Sequence, residues 1–359
     1  MFENLPVGSQ WTLSPDDTRA IAADYGLTIV ASDSPVLSGA VNGVAHVETS
    51  VGSVVIRVHR SWTTPARLTA LHGLLAALRE AGIPVPRVLR TPAGTTWTRL
   101  ADRLVEVVAY VPSDHTADTW ARSGPAFAML ARLHAALARV PIGVVPAPPY
   151  SSYATPATML TMLAETEEVF VALAPRPGYP EAAAVRAATG ALLRALAAEH
   201  RRYASSLPRG LVHGDYGGDN VLLRGELVVA ILDFDFLGER ERIFDLAYAL
   251  YHACDRFCST RNAALPPATC FAHAATLLAA YRRHTETELT ATELAALPFE
   301  MARVPLYQLA EAGYLTEAET PGGAVEQTLR YARHLPVAEA LATHATHITN
   351  LLVGEAGLA

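Results

Sequence analysis

The sequence predicts an α+β fold in two unequal parts, a small β-rich N-terminal one and a larger, mostly helical C-terminal one. Three observations carry this. In "VNGVAHVETSVGSVVIRVHR" two runs rich in β-branched residues flank a turn at Ser50–Ser53, and a further strand-like run, "ADRLVEVVAYVP", follows. From about residue 118 the apolar positions recur at helical spacing, as in Leu130, Leu133, His134 and Leu137. One stretch, "LVHGDYGGDNVLLRGELVVAILDFDF" at 211–236, breaks the helical part with a loop and a short hairpin turning at Arg224–Glu226. A chain of 359 residues is long for one core and suits two lobes.

Each element has its local reason. In "LSPDDTRAIAADYG", Ser14 suits an N-cap, Pro15 the first helical position and Gly26 a stop, so a helix is expected at about 15–25. In the second run of the hairpin, Val54, Ile56 and Val58 point one way and Val55, Arg57 and His59 the other, so one arginine projects from an apolar strand. "TPARLTALHGLLAALREAGIPVP" reads as a helix at about 65–81 stopped by Gly82. Pro112 ends the next strand. Helices are expected at about 155–172, 181–204, 267–284, 291–313 and 325–352.

Composition narrows the function. Apolar residues make up 51% and charged ones 18%, a globular balance, and the net charge of −7 with no basic cluster longer than "RR" argues against a nucleic-acid partner. All 28 basic residues are arginine, so any role that usually falls to lysine falls to arginine here. Cys254, Cys258 and Cys270 are too few for a disulfide framework. Buried thiols are the expectation, with a metal site beside His252 and His273 as the alternative. "MFENLPVGSQW" does not read as a signal peptide, and the apolar runs are too short for a membrane span; a soluble, cytoplasmic protein is expected.

The stretch at 211–236 carries the chemistry. His213-Gly-Asp215 is followed by Asn220 and, across a hairpin that can fold back, by Asp233 and Asp235. Carboxylates and an amide oxygen suit Mg²⁺, which completes its shell with water and phosphate oxygens. A carboxylate left beside the metal can orient a hydroxyl and accept its proton. Metal on the phosphates, a base at the acceptor and positioning are what phosphoryl transfer requires. Asp219 reads as a loop residue, because Asp is common in turns.

"HGDYGGDN…DFD" resembles the catalytic segment of the aminoglycoside phosphotransferase and choline kinase superfamily, and "LDFDFLGERERIFDLAYALY" is similar to its homoserine-kinase-like bacterial members. The resemblance implies a bilobal protein-kinase-like fold, with a nucleotide-binding lobe at 1–108, a hinge at 109–112 and a catalytic, substrate-binding lobe at 113–359. It implies ATP and Mg²⁺ as cofactors, Asp215 as the base and His213 as a brace for the catalytic loop. Asn220, Asp233 and Asp235 become metal ligands. Asn42 and Gly43, with Gly39 in the covering loop, and Arg57 on the following strand would meet phosphate. Ala109, Tyr110 and Val111 would offer backbone groups to adenine, with Val107 behind it, and Tyr110 is equally suited to packing. Asp245 would support the catalytic loop.

Two departures stand out. Many members carry lysine where Arg57 stands here; arginine stays charged and grips phosphate through two N–H groups. The glutamate that normally pairs with that lysine is missing from the next helix, where Glu80 comes about two turns too late; Glu48, Glu106 or phosphate alone are the other candidate partners. The expected activity is transfer of the γ-phosphate to a hydroxyl of a small molecule such as an aminoglycoside, homoserine or a choline-like alcohol. Asp255, Glu300 and Glu311 are candidates to attract an amine. The alternatives are a Ser/Thr kinase acting on a peptide and a nucleotide-binding pseudokinase scaffold.

Overall fold

The computed structural model describes residues 13–31, 36–38, 43–148, 154–258, 268–315 and 322–354. Helix α1 (Pro15–Asp24) begins as the sequence dictates: Ser14 accepts from the Asp17 N–H, and the Asp17 carboxylate accepts in return from the Ser14 N–H. Strands β1 (Ile29–Ala31), β2 (Val36–Ser38), β3 (Gly43–Thr49) and β4 (Gly52–Val58) follow, then helix α2 (Pro65–Glu80), then β5 (Thr98–Leu100) and β6 (Arg103–Ala109). The strands form one sheet in the order β1-β3-β4-β6-β5, with β2 beside β3.

Alternation divides this sheet between two tasks. Ala45, Val47, Val54, Ile56, Val58, Val105 and Val107 share one face, where they pack with Ile21 of α1 and Tyr25 just past its end in a core of their own. Their neighbours in register, His46, Glu48, Arg57 and Glu106, share the other face. Val107, expected behind the adenine, lies on the face away from Arg57. It lies fully buried on the core face, and Glu106 takes the opposite one.

Helix α2 packs elsewhere. Its Leu71, Leu74, Leu75 and Leu78 join the core of the larger, helical part. Buried Arg67 fastens it there, donating to the carbonyls of Pro146, Asp235 (2.6 Å) and Leu237 (2.9 Å).

The rest of the chain comprises β7 (His115–Thr116), α3 (Trp120–Leu137), α4 (Pro156–Glu165), α5 (Glu167–Val171), α6 (Tyr179–Tyr203), β8 (Arg209–Val212), β9 (Val221–Arg224), β10 (Leu227–Ile231), β11 (Gly238–Glu241) and α7 (Arg242–Cys258). Helices α8 (Ala268–His284), α9 (Ala291–Glu311), α10 (Gly323–Tyr331), α11 (Leu335–Thr343) and α12 (Ala345–Gly354) complete it. The expected hairpin is β9–β10, with β7 on its far edge, while β8 and β11 pair with each other.

Three expectations need correction. The stretch at 155–172 is two helices meeting at Thr166, whose hydroxyl donates to the Met162 carbonyl (2.9 Å). The stretch at 325–352 falls into α10, α11 and α12; Pro336 at the start of α11 has no N–H to continue the ladder before it, and α11 ends at His344. Cys254 is a buried free thiol as expected, but Cys270 is disulfide-bonded. His344 and His347 lie on exposed faces. Among the described residues no helix is long and apolar enough to cross a membrane.

Replacing Arg67 with Met keeps the stem but strands the three carbonyls it serves. The expected cost is about 2–4 kcal/mol, read as a lower urea midpoint at unchanged m-value. A loss within 0.5 kcal/mol, the ordinary range for a surface substitution, would mean that the guanidinium does not hold α2 in place.

Candidate active site

The loop from His213 to Asn220 is held from beneath by one carboxylate. Asp245, fully buried near the start of α7, accepts from the backbone N–H of His213 (3.0 Å) and of Gly214 (2.9 Å), and pairs with His134 Nε2 (3.0 Å). Burial opposes its charge, but the bonds and charge of His134 outweigh burial and keep it ionised below its ordinary range. His134 Nδ1 meets the Tyr281 hydroxyl (2.8 Å), so both ring nitrogens are satisfied, as expected of a core histidine. Gly214 has φ +83°, and a Cβ there would stand 2.4 Å from the Phe236 carbonyl oxygen; only glycine fits.

His213 braces the loop. Its Nε2 faces the Leu232 carbonyl (2.8 Å) and must donate, so Nδ1 accepts the Asp215 N–H (3.2 Å). Both bonds are met by the neutral ring, and burial pushes its pKa down. The ring is spent on geometry, not on proton transfer.

Asp215 projects from this frame. The Tyr248 hydroxyl donates to its Oδ1 (2.5 Å), and the Asn220 amide donates to its Oδ2 (3.3 Å) and its carbonyl (2.8 Å). Burial raises its pKa to about 7; the negative charge of Asp233 adds to this, while the bonds from Tyr248 and Asn220 hold it back. A carboxylate poised there can take a proton near neutrality. Tyr248 was not foreseen. Its signal is its place three residues after Asp245 on α7, so one helical face supports the loop backbone and the Asp215 side chain together.

Asn220 and Asp233 are brought together by the return of the hairpin, where the Leu232 N–H donates to the Asn220 carbonyl (2.8 Å). Asp233 itself sits at φ +59°, a sparsely populated conformation for a side-chain-bearing residue and characteristic of functional sites. With the Asn220 NH₂ committed to Asp215, its amide oxygen is the group left for a cation. That oxygen and the carboxylates of Asp233 and Asp235 make an all-oxygen donor set, which fits Mg²⁺. Among the described residues no group of three His, Cys, Asp or Glu could hold a metal by itself, so water and phosphate oxygens would have to complete the shell. Asp219 is exposed in the short turn before Asn220, in keeping with a loop role.

Arg57 reaches across the cleft to the same carboxylates. Its Nη2 lies 2.6 Å from Asp233 and 2.9 Å from Asp235, and its Nη1 lies 3.4 Å from Glu106. Burial disfavours the guanidinium's charge, and the three carboxylates more than compensate. The partner missing from the helix is therefore on the neighbouring strand: Glu106 lies opposite Arg57 in register. Glu48 accepts instead from Ser53 (2.6 Å), and Glu80 is exposed at the end of α2. Behind Glu106 stand His59 Nε2 (3.2 Å) and His72 Nε2 (2.6 Å), neither of which sequence reasoning singled out.

At the junction between the two parts, the Ala109 N–H donates to Arg87 and the Tyr110 N–H to Ser53. Both N–H groups are thus committed within the protein. The half-exposed Tyr110 ring packs on His46, centroids 4.3 Å apart. Gly43 opens β3, whereas Asn42 and Gly39 lie outside the described residues.

Residues 33–312 match the model of the phosphotransferase enzyme family. The chain is 25% identical over 243 residues to homoserine kinase of Acidiphilium cryptum, covering 67% of this chain and 71% of that one. It is 26% identical over 327 residues to homoserine kinase of Azorhizobium caulinodans, covering 89% and 92%. Among solved structures, an amicoumacin kinase in complex with AMP-PNP, Ca²⁺ and Ami superposes with TM-score 0.64 at 15% identity, covering 89% of this chain and 92% of that one. A microcompartment-associated aminopropanol kinase gives 0.62 at 19%, covering 94% and 99%. An aminoglycoside phosphotransferase of Alicyclobacillus acidocaldarius gives 0.61 at 16%, covering 94% and 98%. The bilobal α+β kinase-like fold is the one these structures share with the chain.

The raised pKa of Asp215 has a sign. The unfolded carboxyl ionises near 3.8 and the folded one near 7, so the wild type loses stability as pH rises through that window and carries the full penalty above it. Asp215→Asn carries none. The variant should be more stable by about 2–4 kcal/mol at pH 8 and equal to the wild type near pH 4, by urea unfolding. Equal stability at both pH values would show that the carboxyl is not perturbed.

Proposed function

The chain belongs to the phosphotransferase enzyme family, and from that premise we propose that it moves the γ-phosphate of ATP to a hydroxyl of a small amine-bearing molecule, with Mg²⁺ as the metal. The observation that carries this is Asp215, a carboxylate with pKa raised to about 7, standing beside an all-oxygen donor set. Magnesium, when bound with the nucleotide, supplies the charge that the phosphate oxygens need. Asn220, Asp233 and Asp235 would hold it. Asp215 orients the acceptor hydroxyl and takes its proton as the new O–P bond forms and the bond from the γ-phosphorus to the bridging oxygen breaks, leaving ADP. Tyr248 keeps the carboxylate aimed. Arg57 meets the phosphates, and Ala109, Tyr110 and Val111 border the base. Gly43 and Asn42 belong to the covering loop.

Of the three acids considered for a cationic acceptor, Glu300 is otherwise engaged, buried against Arg303 (3.1 Å) and the Tyr203 hydroxyl (2.8 Å). Asp255 lies 3.9 Å from His334, on α7. Glu311, at the end of α9, accepts from Tyr307 (3.4 Å) and shares its electrostatic surroundings with Arg60. Arg60, over the Phe236 ring at 5.7 Å, also feels Asp233 and Asp235. An acceptor carrying both an amine and a carboxylate would meet Glu311 and Arg60 close to the phosphates. The homoserine kinase names of the relatives support an acceptor of that kind. Glu106 beside Arg57 answers the missing helix glutamate, one of the two departures behind a pseudokinase reading.

Turnover of ATP with an acceptor panel should require Mg²⁺ and fall by roughly 10²–10⁴-fold in Asp215→Ala. Full activity in Asp233→Asn would sink the metal assignment. Glu311→Gln should raise the acceptor KM several-fold for amino alcohols and hydroxy amino acids while sparing the ATP KM. An unchanged acceptor KM would place the amine elsewhere.

A further inference from the structure

Helix α2 is fastened to the large part of the molecule by Arg67 and four leucines, whereas Arg57 and Glu106 belong to the sheet. One side chain of α2 crosses between them. His72 Nε2 lies 2.6 Å from Glu106 Oε2, and because an ionised carboxylate only accepts, Nε2 must donate. The other Glu106 oxygen, Oε1, faces Arg57 Nη1 at 3.4 Å. Glu106 is held well below its ordinary pKa: burial opposes its charge, and the neighbouring imidazoles of His59, then His72, prevail. Among the described residues the His72 Nδ1, buried, has no hydrogen-bond partner. The ring of His72 is committed on one side only, toward Glu106.

We propose that His72 is a positioning residue for Arg57: it fixes the Glu106 carboxylate, which in turn aligns the guanidinium for phosphate, and so couples the seat of α2 to nucleotide binding. The pair does by a histidine on the helix and a glutamate on the strand what a single helix glutamate would otherwise do. The strand register makes the division possible, since Arg57 and Glu106 are direct cross-strand neighbours and need no reach from α2. The role rests on the kinase reading, in which Arg57 meets phosphate.

The test compares His72→Gln, whose amide nitrogen can occupy the place of Nε2, with His72→Asn, which is polar but too short, and His72→Leu. A fluorescent ATP analogue gives nucleotide affinity without turnover, steady-state assays give both KM values, and ¹⁵N NMR of the arginine guanidinium groups reads Arg57 in nucleotide-free protein. His72→Asn and His72→Leu should weaken nucleotide binding and raise the ATP KM about tenfold, leave the acceptor KM within about twofold, and average the Arg57 guanidinium signals. His72→Gln should restore all three to within about threefold of wild type. The two KM values rising together, or Gln performing no better than Asn, would overturn the proposal. Should His72→Leu fail to fold, the Gln and Asn pair decides. If the Arg57 signals follow the pattern while no acceptor is phosphorylated, the positioning role stands and the kinase reading alone fails.

Discussion

Three carboxylates converge on one guanidinium, and both parts of the molecule depend on it. Glu106 comes from the sheet, Asp233 and Asp235 from the turn after the hairpin, and Arg57 stands between them. Negative groups so close, Glu106 and Asp235 buried among them, would repel each other and lose hydration at heavy cost without a cation. The arrangement explains why the chain's only type of fixed cation is placed in the middle of an otherwise apolar strand. It also ties the sheet to the catalytic turn, because Arg57 cannot satisfy these acids unless the two parts face each other at the observed distance.

A second, deeper constraint supports the first. Asp245 accepts from the N–H groups of His213 and Gly214, and the neutral His213 ring then spans from the Asp215 backbone to the Leu232 carbonyl. The loop carrying Asp215 and the turn carrying Asp233 are thus locked to each other through backbone atoms. That rigidity lets Asp233 remain in a left-handed conformation and lets the half-buried Asp215 keep a raised pKa. Neither condition is favourable locally; each persists because the frame around it leaves no relaxed alternative.

Most elements were legible in the sequence because their boundaries are written in local chemistry. Ser14 and Pro15 start α1, the β-branched alternation of 54–58 makes β4, and Gly225 turns the hairpin. The misread breaks have local causes that apolar periodicity does not report: the Thr166 hydroxyl bonds back to the Met162 carbonyl, and Pro336 stands at the start of α11. Tyr248 and His72 escaped notice for a different reason. Each sits in an unremarkable helical pattern and gains meaning only from a partner distant in sequence, as His72 does from Glu106.

What the sequence by itself determined was the reaction type. The spacing of Asp215, Asn220, Asp233 and Asp235 around a hairpin suits one class of chemistry, since a hairpin of that length brings its ends together wherever it is placed. What only the tertiary structure decided was how those acids are tuned. Which acid pairs with Arg57, whether His213 can carry a proton and where Asp215 titrates are set by burial and by groups far away along the chain. Charge interactions depend on distance through space and on exclusion of water, and neither is encoded in the local order of residues.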